Sequence, residues 1–284
     1  MGSGFVYHID KDKAYLLTNH HVIENANSIT VEFMDETQVK AKLVGSDKHA
    51  DIAVLEIEAI DGLKVVEIGK TEDLNLGDTV FTVGTPVSLD YKGSVTRGIV
   101  SGLDRLVSIS VENNYSDDYI MKAIQVDAPI NSGNSGGPLC NANGEVIGIN
   151  TMKIASTTID NMGFSIPIED ALNYAAELEQ NGKIERPFLG IEMYELETAR
   201  YYYNISLPAE VDGLYVESVN KNSPASKAGF KNGDIIIKFN NKDITSFKDF
   251  KYELYKFKPN EKVEVEIIRD GKNKTLTVTL GKSE

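Results

Sequence analysis

Short apolar runs separated by turn-forming residues dominate the first 183 residues of the chain. Runs such as AYLLTNHHVI, SITVEFMD, DIAVLEIE, DTVFTVGTP and EVIGINTM are rich in Val, Ile, Leu and Thr, with Gly, Asn, Asp and Lys between them. Runs of this kind are typical of β-strands, and the first of them would have His20 and His21 at its end. Because many follow one another at fairly regular spacing, the pattern predicts a β-sandwich or β-barrels.

A helical pattern occurs in this part of the chain only at PIEDALNYAAELEQNG. Pro167 precedes the pattern and Gly182 follows it, and these residue types are common at the two ends of a helix. The positions assigned to one face are Ile168, Leu172, Ala175, Ala176 and Glu179. We therefore predict an amphipathic helix which, with the following KIERP, links two parts of the chain.

Residues 184–284 combine strand and helix patterns. GLYVESVN and DIIIKFNN predict strands, and KVEVEIIRDGKNKTLTVTLG predicts a hairpin whose turn is Asp270-Gly271. NSPASKAG predicts one helical turn with Ser223 as its cap and Pro224 at its first position. SFKDFKYELYKFK predicts an amphipathic helix, because apolar residues recur three and four positions apart. These residues are Phe247, Phe250, Leu254 and Phe257.

Composition and charge support two domains. The chain has 284 residues, of which 41% are hydrophobic, as in soluble globular proteins of this length. Residues 184–284 carry as many acidic as basic side chains, so the net charge of −14 lies entirely on residues 1–183. We place the domain boundary where the charge changes, between these two ranges. An acidic first domain argues against a nucleic-acid partner, because phosphates would be repelled.

The single cysteine excludes an intramolecular disulfide. With only Cys140 and four histidines, a Cys/His zinc cluster is not expected, and no metal or cofactor is predicted. The chain contains no apolar run of about 18 residues that could span a membrane. Its N-terminal sequence lacks the pattern of a secretory signal peptide.

The stretch INSGNSGGPLC raises the possibility of a nucleophilic serine at Ser135. A serine hydroxyl needs a neighbouring base, and the base needs a third group that fixes its tautomer. Backbone N–H groups must also face the developing oxyanion, and the turn Gly133-Asn134-Ser135 could supply them.

The order of residues along the chain decides between two serine-hydrolase designs. The stretch also satisfies G-x-S-x-G of the α/β-hydrolases, in which the catalytic histidine follows the serine. Here every histidine precedes Ser135, which argues against that design and against a serine esterase of that fold. The order His, Asp, Ser is that of the chymotrypsin-type enzymes. The histidines are His8, His20, His21 and His49.

Three motifs carry a resemblance to a known family. The chain has His21 in TNHHV, Asp51 in DIAVL and Ser135 in GNSGGPL, in this order. At these residues it closely resembles the HtrA/Deg branch of the trypsin-like serine proteases, which carries T-N-x-H-V, D-[LI]-A-V-L and G-N-S-G-G-P-L. SVTRGIVSGLDR and GFSIPI match two further segments of that family. The resemblance covers nearly the whole chain.

The resemblance assigns roles to individual residues. It implies that His21 is the general base, Asp51 the acid that orients it, and Ser135 the nucleophile. It also implies an oxyanion hole made by backbone N–H groups of Gly133 and Ser135, with Asn134 as a further candidate. The other three histidines receive no role.

The C-terminal domain resembles the PDZ domain that follows the protease in this family. FLGI is similar to the loop in which backbone N–H groups bind the C-terminal carboxylate of a peptide. The implied peptide-binding residues are Phe188, Leu189, Gly190 and Ile191. The peptide would add as a strand beside Ile191, and the helix that contains Phe250 and Leu254 would complete the pocket.

The implied fold is mostly β, with a chymotrypsin-like double β-barrel in residues 1–183 and an α+β PDZ domain in residues 184–284. The implied function is a serine endopeptidase that degrades misfolded or damaged proteins and is regulated by its PDZ domain. Pro129 stands six residues before the serine, where trypsin-like pockets carry an acid, so we expect small or aliphatic P1 residues.

The resemblance has further implications for assembly and location. It implies a homotrimer and an extracytoplasmic location, membrane-anchored or periplasmic, for the full-length bacterial protein. The family has a strand before GSGF, and we expect the first barrel to lack it because the chain begins at that motif. A competing prediction is a catalytically silent, protease-like scaffold or chaperone that binds peptides.

Overall fold

A computed structural model describes residues 1–109, 119–151, 161–203, 205 and 211–283. The chain divides into two compact units, Met1–Ile184 and Glu185–Glu284. In both units most of the regular structure consists of antiparallel strands. Within the described residues, no helix has the length and apolar character needed to cross a membrane.

The described part of the first unit contains two helices and the strands of two sheets. The helices are α1 (His20–Ile23) and α2 (Ile168–Asn181). The strands are β1 (Phe5–Asp10), β2 (Lys13–Thr18), β3 (Ile29–Glu32), β4 (Gln38–Asp47), β5 (Ile52–Glu58), β6 (Thr79–Gly84), β7 (Ser94–Ile109), β8 (Tyr119–Val126), β9 (Pro138–Asn141), β10 (Val146–Thr151) and β11 (Gly163–Pro167). Short 3₁₀ turns lie at Thr71–Asp73 and Leu89–Tyr91.

The first five strands form one sheet and the other six close into a barrel. The order in the sheet is β1-β2-β5-β4-β3, and that around the barrel is β10-β11-β8-β7-β6-β9. Strands β5 and β10 are almost wholly buried, which explains their nearly continuous apolar sequences. Each sheet surrounds its own apolar cluster, the first including Leu16 and Leu55 and the second including Val80 and Ile147.

Two details of the first unit differ from the sequence-based prediction. The strand predicted through HHVI ends at Thr18, and His20–Ile23 form one helical turn instead. The buried face of α2 consists of Ile168, Ala171, Ala175 and Leu178, whereas Ala176 and Glu179 are exposed. Spacings of three, four and three residues keep the buried positions on one side, and the Glu179 carboxylate instead accepts a hydrogen bond from the Tyr7 hydroxyl. Gly182 ends α2 in the left-handed conformation, with φ of 71°.

The described part of the second unit contains one main antiparallel sheet and a separate two-stranded sheet. Its strands are β12 (Pro187–Phe188), β13 (Ile191–Glu195), β14 (Leu214–Val219), β15 (Ile235–Phe239), β16 (Lys242–Asp243), β17 (Lys262–Arg269), β18 (Lys272–Thr279) and β19 (Gly281–Lys282). The order in the main sheet is β13-β14-β15-β17-β18, with β16 paired to β15. The separate sheet consists of β12 and β19. The helices are α3 (Leu196–Tyr202), α4 (Pro224–Ala228) and α5 (Phe247–Leu254).

Local sequence signals account for three of these elements, all of which were predicted, although the capping box of α5 was not. Ser223 Oγ accepts the Ser226 N–H at the start of α4. Ser246 and Asp249 form a reciprocal capping box at the start of α5. Asp270 and Gly271 both have positive φ, as the tight turn between β17 and β18 requires. The helix α3 was not predicted.

Candidate active site

His21 and Asp51 are in direct contact in the first unit. His21 Nδ1 lies 2.9 Å from Asp51 Oδ1 and 2.8 Å from Oδ2, and the His21 backbone N–H donates to Oδ1 at 3.1 Å. An ionised carboxylate can only accept hydrogen bonds, so this contact requires a proton on Nδ1. In the neutral imidazole the lone pair then lies on Nε2, which is the atom that a general base uses.

Asp51 is wholly buried and is held by two residues besides His21. Thr151 Oγ1 donates to Asp51 Oδ2 at 2.8 Å, and Asn19 Nδ2 donates to the Asp51 carbonyl oxygen at 2.8 Å. The φ of Asp51 is 53°, a left-handed conformation that Asp tolerates better than most residues. These bonds fix the carboxylate against the imidazole.

Thr151 and Asn19 were not identified from the sequence. Thr151 is 100 positions from Asp51 and ends a buried strand, so its spacing in the sequence carries no signal of the contact. Asn19 lies inside the motif TNHHV, and its place in this motif is the only sign in the sequence that it contributes to the site.

Ser135 lies in a turn that packs against the chain near His21. A Cβ atom placed on Gly136 would lie only 3.0 Å from the Asn19 backbone nitrogen. One placed on Gly2 would lie 2.6 Å from the Val22 side chain and 3.1 Å from the Ser135 carbonyl oxygen. The turn that contains Ser135 and the segment from Asn19 to Val22 are therefore neighbours in the fold. Ser135 itself is 4% exposed.

Two backbone N–H groups in this turn have no acceptor among the described residues. Within the described part of the chain, the N–H groups of Gly133 and Ser135 donate no hydrogen bond. The Asn134 N–H donates to the Asn131 carbonyl oxygen at 2.9 Å, which closes a tight turn. The prediction of Asn134 as a further oxyanion donor is therefore corrected, because that group is already bonded.

The orientation of the Gly133 N–H follows from the peptide that precedes it. The Ser132 carbonyl oxygen accepts the Val87 N–H at 3.4 Å. In a trans peptide the C=O and N–H point in opposite directions, so the Gly133 N–H points away from Val87. Gly133 has φ of 103°, which only glycine adopts readily, and a Cβ atom there would lie 2.1 Å from the Thr85 carbonyl oxygen.

The segment before the turn is apolar where trypsin-like pockets are acidic. The Pro129 carbonyl oxygen accepts hydrogen bonds from Thr96 Oγ1 at 2.9 Å and from Asn134 Nδ2 at 3.3 Å. The Ile130 side chain covers Gly163, since a Cβ atom there would lie 2.6 Å from Ile130 Cγ1. Ile130 also packs against the apolar cluster of the barrel.

The remaining histidines and the cysteine have other contacts. His20 Nδ1 lies 3.0 Å from Ser46 Oγ, and His8 stacks on Tyr15 with ring centroids 5.8 Å apart. The His49 backbone N–H donates to Asp47 Oδ1 at 3.0 Å. Burial raises the pKa of the Cys140 thiol to about 11, so this group is a protonated thiol at neutral pH.

The FLGI segment in the second unit presents a second set of free backbone N–H groups. Gly190 has φ of 83°, and the Leu189 and Gly190 N–H groups donate no hydrogen bond within the described residues. The Leu189 side chain is 2% exposed and belongs to the core, whereas Phe188 is 37% exposed. Ile191 begins β13, which lies at one edge of the sheet and packs against the core that includes Phe250.

Family models match both units. A model for a trypsin-like peptidase domain matches residues 2–149, which is more than half of the 284 residues, and a model for a PDZ domain matches residues 187–280.

Two proteins of Bacillus subtilis (strain 168), serine protease Do-like HtrB and serine protease Do-like HtrA, are each 42% identical to this chain. The matches cover 99% and 100% of this chain but 62% and 64% of those proteins. The chain therefore spans less than two thirds of the length of both relatives.

Solved structures agree with the family models. The HtrA-type protease AlgW with a decapeptide has a TM-score of 0.82 and 31% identity, over 100% of this chain and 83% of that one. A serine endoprotease from Yersinia pestis has a TM-score of 0.75 and 32% identity, over 100% and 89%. The predicted resemblance and fold class are confirmed.

Proposed function

We propose, from the premise that the chain belongs to the HtrA family of trypsin-like serine proteases with a PDZ domain, that it is a serine endopeptidase. The observation that carries the proposal is the buried Asp51 carboxylate bonded to His21 Nδ1. Such a contact leaves the other imidazole nitrogen free to accept a proton, as a serine nucleophile requires.

The proposed reaction is acyl transfer in two steps. His21 Nε2 takes the proton of Ser135 Oγ, which attacks the carbonyl carbon of a peptide bond. The N–H groups of Gly133 and Ser135 stabilise the oxyanion of the tetrahedral intermediate, and His21 then gives its proton to the leaving amine. Water, activated by the same imidazole, hydrolyses the acyl-enzyme. Asp51 stabilises the imidazolium form throughout.

The proposed substrates are unfolded or misfolded proteins, cut after small or aliphatic P1 residues. Support comes from the apolar segment Pro129-Ile130, because it contains no carboxylate to pair with a substrate Lys or Arg. We extend the proposal to a protease of bacterial quality control that acts outside the cytoplasm, because the chain belongs to the HtrA family and its relatives are bacterial serine proteases. A homotrimer is part of the same proposal for the whole protein.

A peptide-library digest tests the peptidase and its specificity together. We expect cleavage mainly after Val, Ile, Ala and Leu. If Ile130 lines the proposed pocket, Ile130→Ala should favour larger P1 residues, because the substitution removes alkyl groups from it. The relative kcat/KM for Phe over Val should rise by roughly 10-fold, since one methylene in such a pocket is worth about 1–3 kcal/mol.

Ile99→Ala is the matched control, because Ile99 is 41% exposed and lies on β7. It should keep the wild-type profile. No cleavage by the pure chain would contradict the peptidase, and a profile dominated by Arg and Lys would contradict the apolar pocket.

We further propose that the second unit binds peptide C-termini. The free N–H groups of Leu189 and Gly190 beside the edge strand β13 support this, as does the solved complex of AlgW with a decapeptide. A carboxylate would accept from these N–H groups while the peptide backbone pairs with β13. Occupancy of this site would regulate the protease.

Peptide binding can be measured by fluorescence polarisation on the full chain carrying Ser135→Ala, which prevents cleavage. A peptide that ends in a free carboxylate should bind, and the same peptide with a C-terminal amide should bind at least 10-fold more weakly. The reason is that hydrogen bonds to a charged group contribute about 1.5–3 kcal/mol. Equal affinity for the two peptides would contradict carboxylate recognition.

A further inference from the structure

Ser3 contacts both residues whose N–H groups are free in the nucleophile turn. Its N–H donates to the Ser135 carbonyl oxygen at 2.9 Å, and its hydroxyl donates to the Gly133 carbonyl oxygen at 2.6 Å. Ser3 is 130 positions from Gly133 in the sequence, so these contacts are made by the fold and not by the turn itself.

Ser3 is itself held in place by two threonines. The Thr85 N–H donates to Ser3 Oγ at 3.1 Å, and Thr18 Oγ1 donates to the Ser3 carbonyl oxygen at 2.7 Å. Because Ser3 Oγ already accepts an N–H, its own proton is directed to the Gly133 carbonyl oxygen. The Thr85 N–H also lies 3.3 Å from that oxygen, a longer contact than the hydroxyl makes.

The Gly133 carbonyl needs such a partner because the residue has no side chain to anchor it. Gly133 has φ of 103°, and glycine has more conformational freedom than any other residue. Rotation about the backbone bonds of Gly133 would turn its N–H. Fixing the carbonyl groups of Gly133 and Ser135 restricts the backbone on both sides of Asn134. The directions of the two free N–H groups are restricted with it.

We propose that Ser3 is a positioning residue for the oxyanion hole. Its hydroxyl and its N–H hold the Gly133 and Ser135 carbonyl groups, so that the N–H groups of these two residues converge on the substrate oxyanion. Ser3 acts through this turn and does not touch the substrate. The inference rests on the proposed peptidase function.

The first test is Ser3→Ala, which removes the hydroxyl but leaves both oxyanion donors in the chain. We expect kcat on a peptide substrate to fall about 10-fold with KM within about twofold of wild type. The loss should be smaller than the roughly 100- to 1000-fold loss caused by removing an oxyanion donor, because both N–H groups remain.

A pair of inhibitors separates positioning from a loss of stability. In a peptide aldehyde the carbonyl carbon adds Ser135 Oγ, His21 takes the hydroxyl proton, and the resulting oxyanion occupies the hole. The matching peptide carboxamide binds without reacting. Ser3→Ala should raise the inhibition constant of the aldehyde about 10-fold and leave that of the carboxamide unchanged. A variant that is only partly folded would have fewer active sites but the same two constants.

Ser94→Ala is the matched control, since Ser94 Oγ donates to the Tyr91 carbonyl oxygen at 2.6 Å in the same unit. It should behave as wild type in every assay. If Ser3→Ala does not fold, Ser3→Cys takes its place, because a thiol fills the position but donates weakly. If the Ser3 variant has the wild-type kcat and the wild-type inhibition constants, the positioning role of Ser3 is wrong, but the proposed peptidase function is not affected. A wild-type chain that neither hydrolyses peptides nor reacts with the aldehyde would overturn the proposed function as well.

Discussion

Ser135→Ala is expected to reduce casein hydrolysis to the level of buffer. Removing the nucleophile of a catalytic triad lowers kcat on the order of 10⁶-fold, which is beyond the range of a casein assay. The variant should still fold, because the turn is held through backbone groups: Ser3 N–H donates to Ser135 O and Gly136 N–H donates to Asn150 O, both at 2.9 Å. Release of acid-soluble peptides and the thermal unfolding temperature measure the two effects separately.

Ser94→Ala controls for the loss of a serine hydroxyl elsewhere in the first unit, and it should hydrolyse casein at the wild-type rate. Retained hydrolysis by a pure, folded Ser135→Ala sample would mean that another group is the nucleophile. An unfolded variant would instead contradict the account of how the turn is held.

Asp51→Asn is expected to lower kcat by about 10⁴-fold, the loss that the corresponding substitution causes in a chymotrypsin-type triad. Asp51 Oδ1 accepts the His21 backbone N–H, so an asparagine would keep its oxygen there. Its NH₂ group would then occupy the position of Oδ2, near Thr151 Oγ1 and His21 Nδ1. Because a donor would face Nδ1, the imidazole would carry its proton on Nε2 and could not accept that of Ser135.

Asp47→Asn is the matched control for this substitution. Asp47 lies four positions earlier, and its Oδ1 accepts the backbone N–H groups of His49 and Ala50, a role that an asparagine oxygen can keep. Its kcat should stay within a few-fold of wild type. If Asp51→Asn were equally active, Asp51 would not set the tautomer of His21. Steady-state kinetics on one peptide substrate decide between these outcomes.

Local patterns in the sequence were sufficient to predict many elements of the fold. The turn at Asp270-Gly271 needs positive φ at both positions, and these residue types tolerate it. The capping residue Ser223 and the apolar spacing of Phe250 and Leu254 likewise depend on neighbours close in sequence. Such features can be predicted from the sequence because the residues that determine them lie within one or two turns of the chain from each other.

The features that the sequence did not predict depend on residues far apart in the chain. The helical turn at His20–Ile23 lies where Asp51 bonds the His21 backbone N–H, 30 positions away. Glu179 is exposed on α2, and its carboxylate accepts a hydrogen bond from the Tyr7 hydroxyl on β1. No periodicity or spacing within a short window contains this information.

The candidate site likewise contains residues that the sequence motifs predict and residues that only the fold brings to the site. The motifs single out His21, Asp51 and Ser135, because the family keeps these residues in characteristic surroundings. Thr151 Oγ1 and the Ser3 hydroxyl support the site across 100 and 130 positions, so only the fold brings them to it. Asn134 was predicted as a further donor, but its N–H already donates to the Asn131 carbonyl oxygen in the turn.

We propose Ser135 as a nucleophile that is activated by His21 and Asp51. The most direct test is the intact mass of the chain after incubation with a fluorophosphonate, followed by peptide mapping of the product. We expect one adduct per chain, located on Ser135, and none on the Ser135→Ala variant. An unmodified wild-type chain, or an adduct on any other residue, would contradict it.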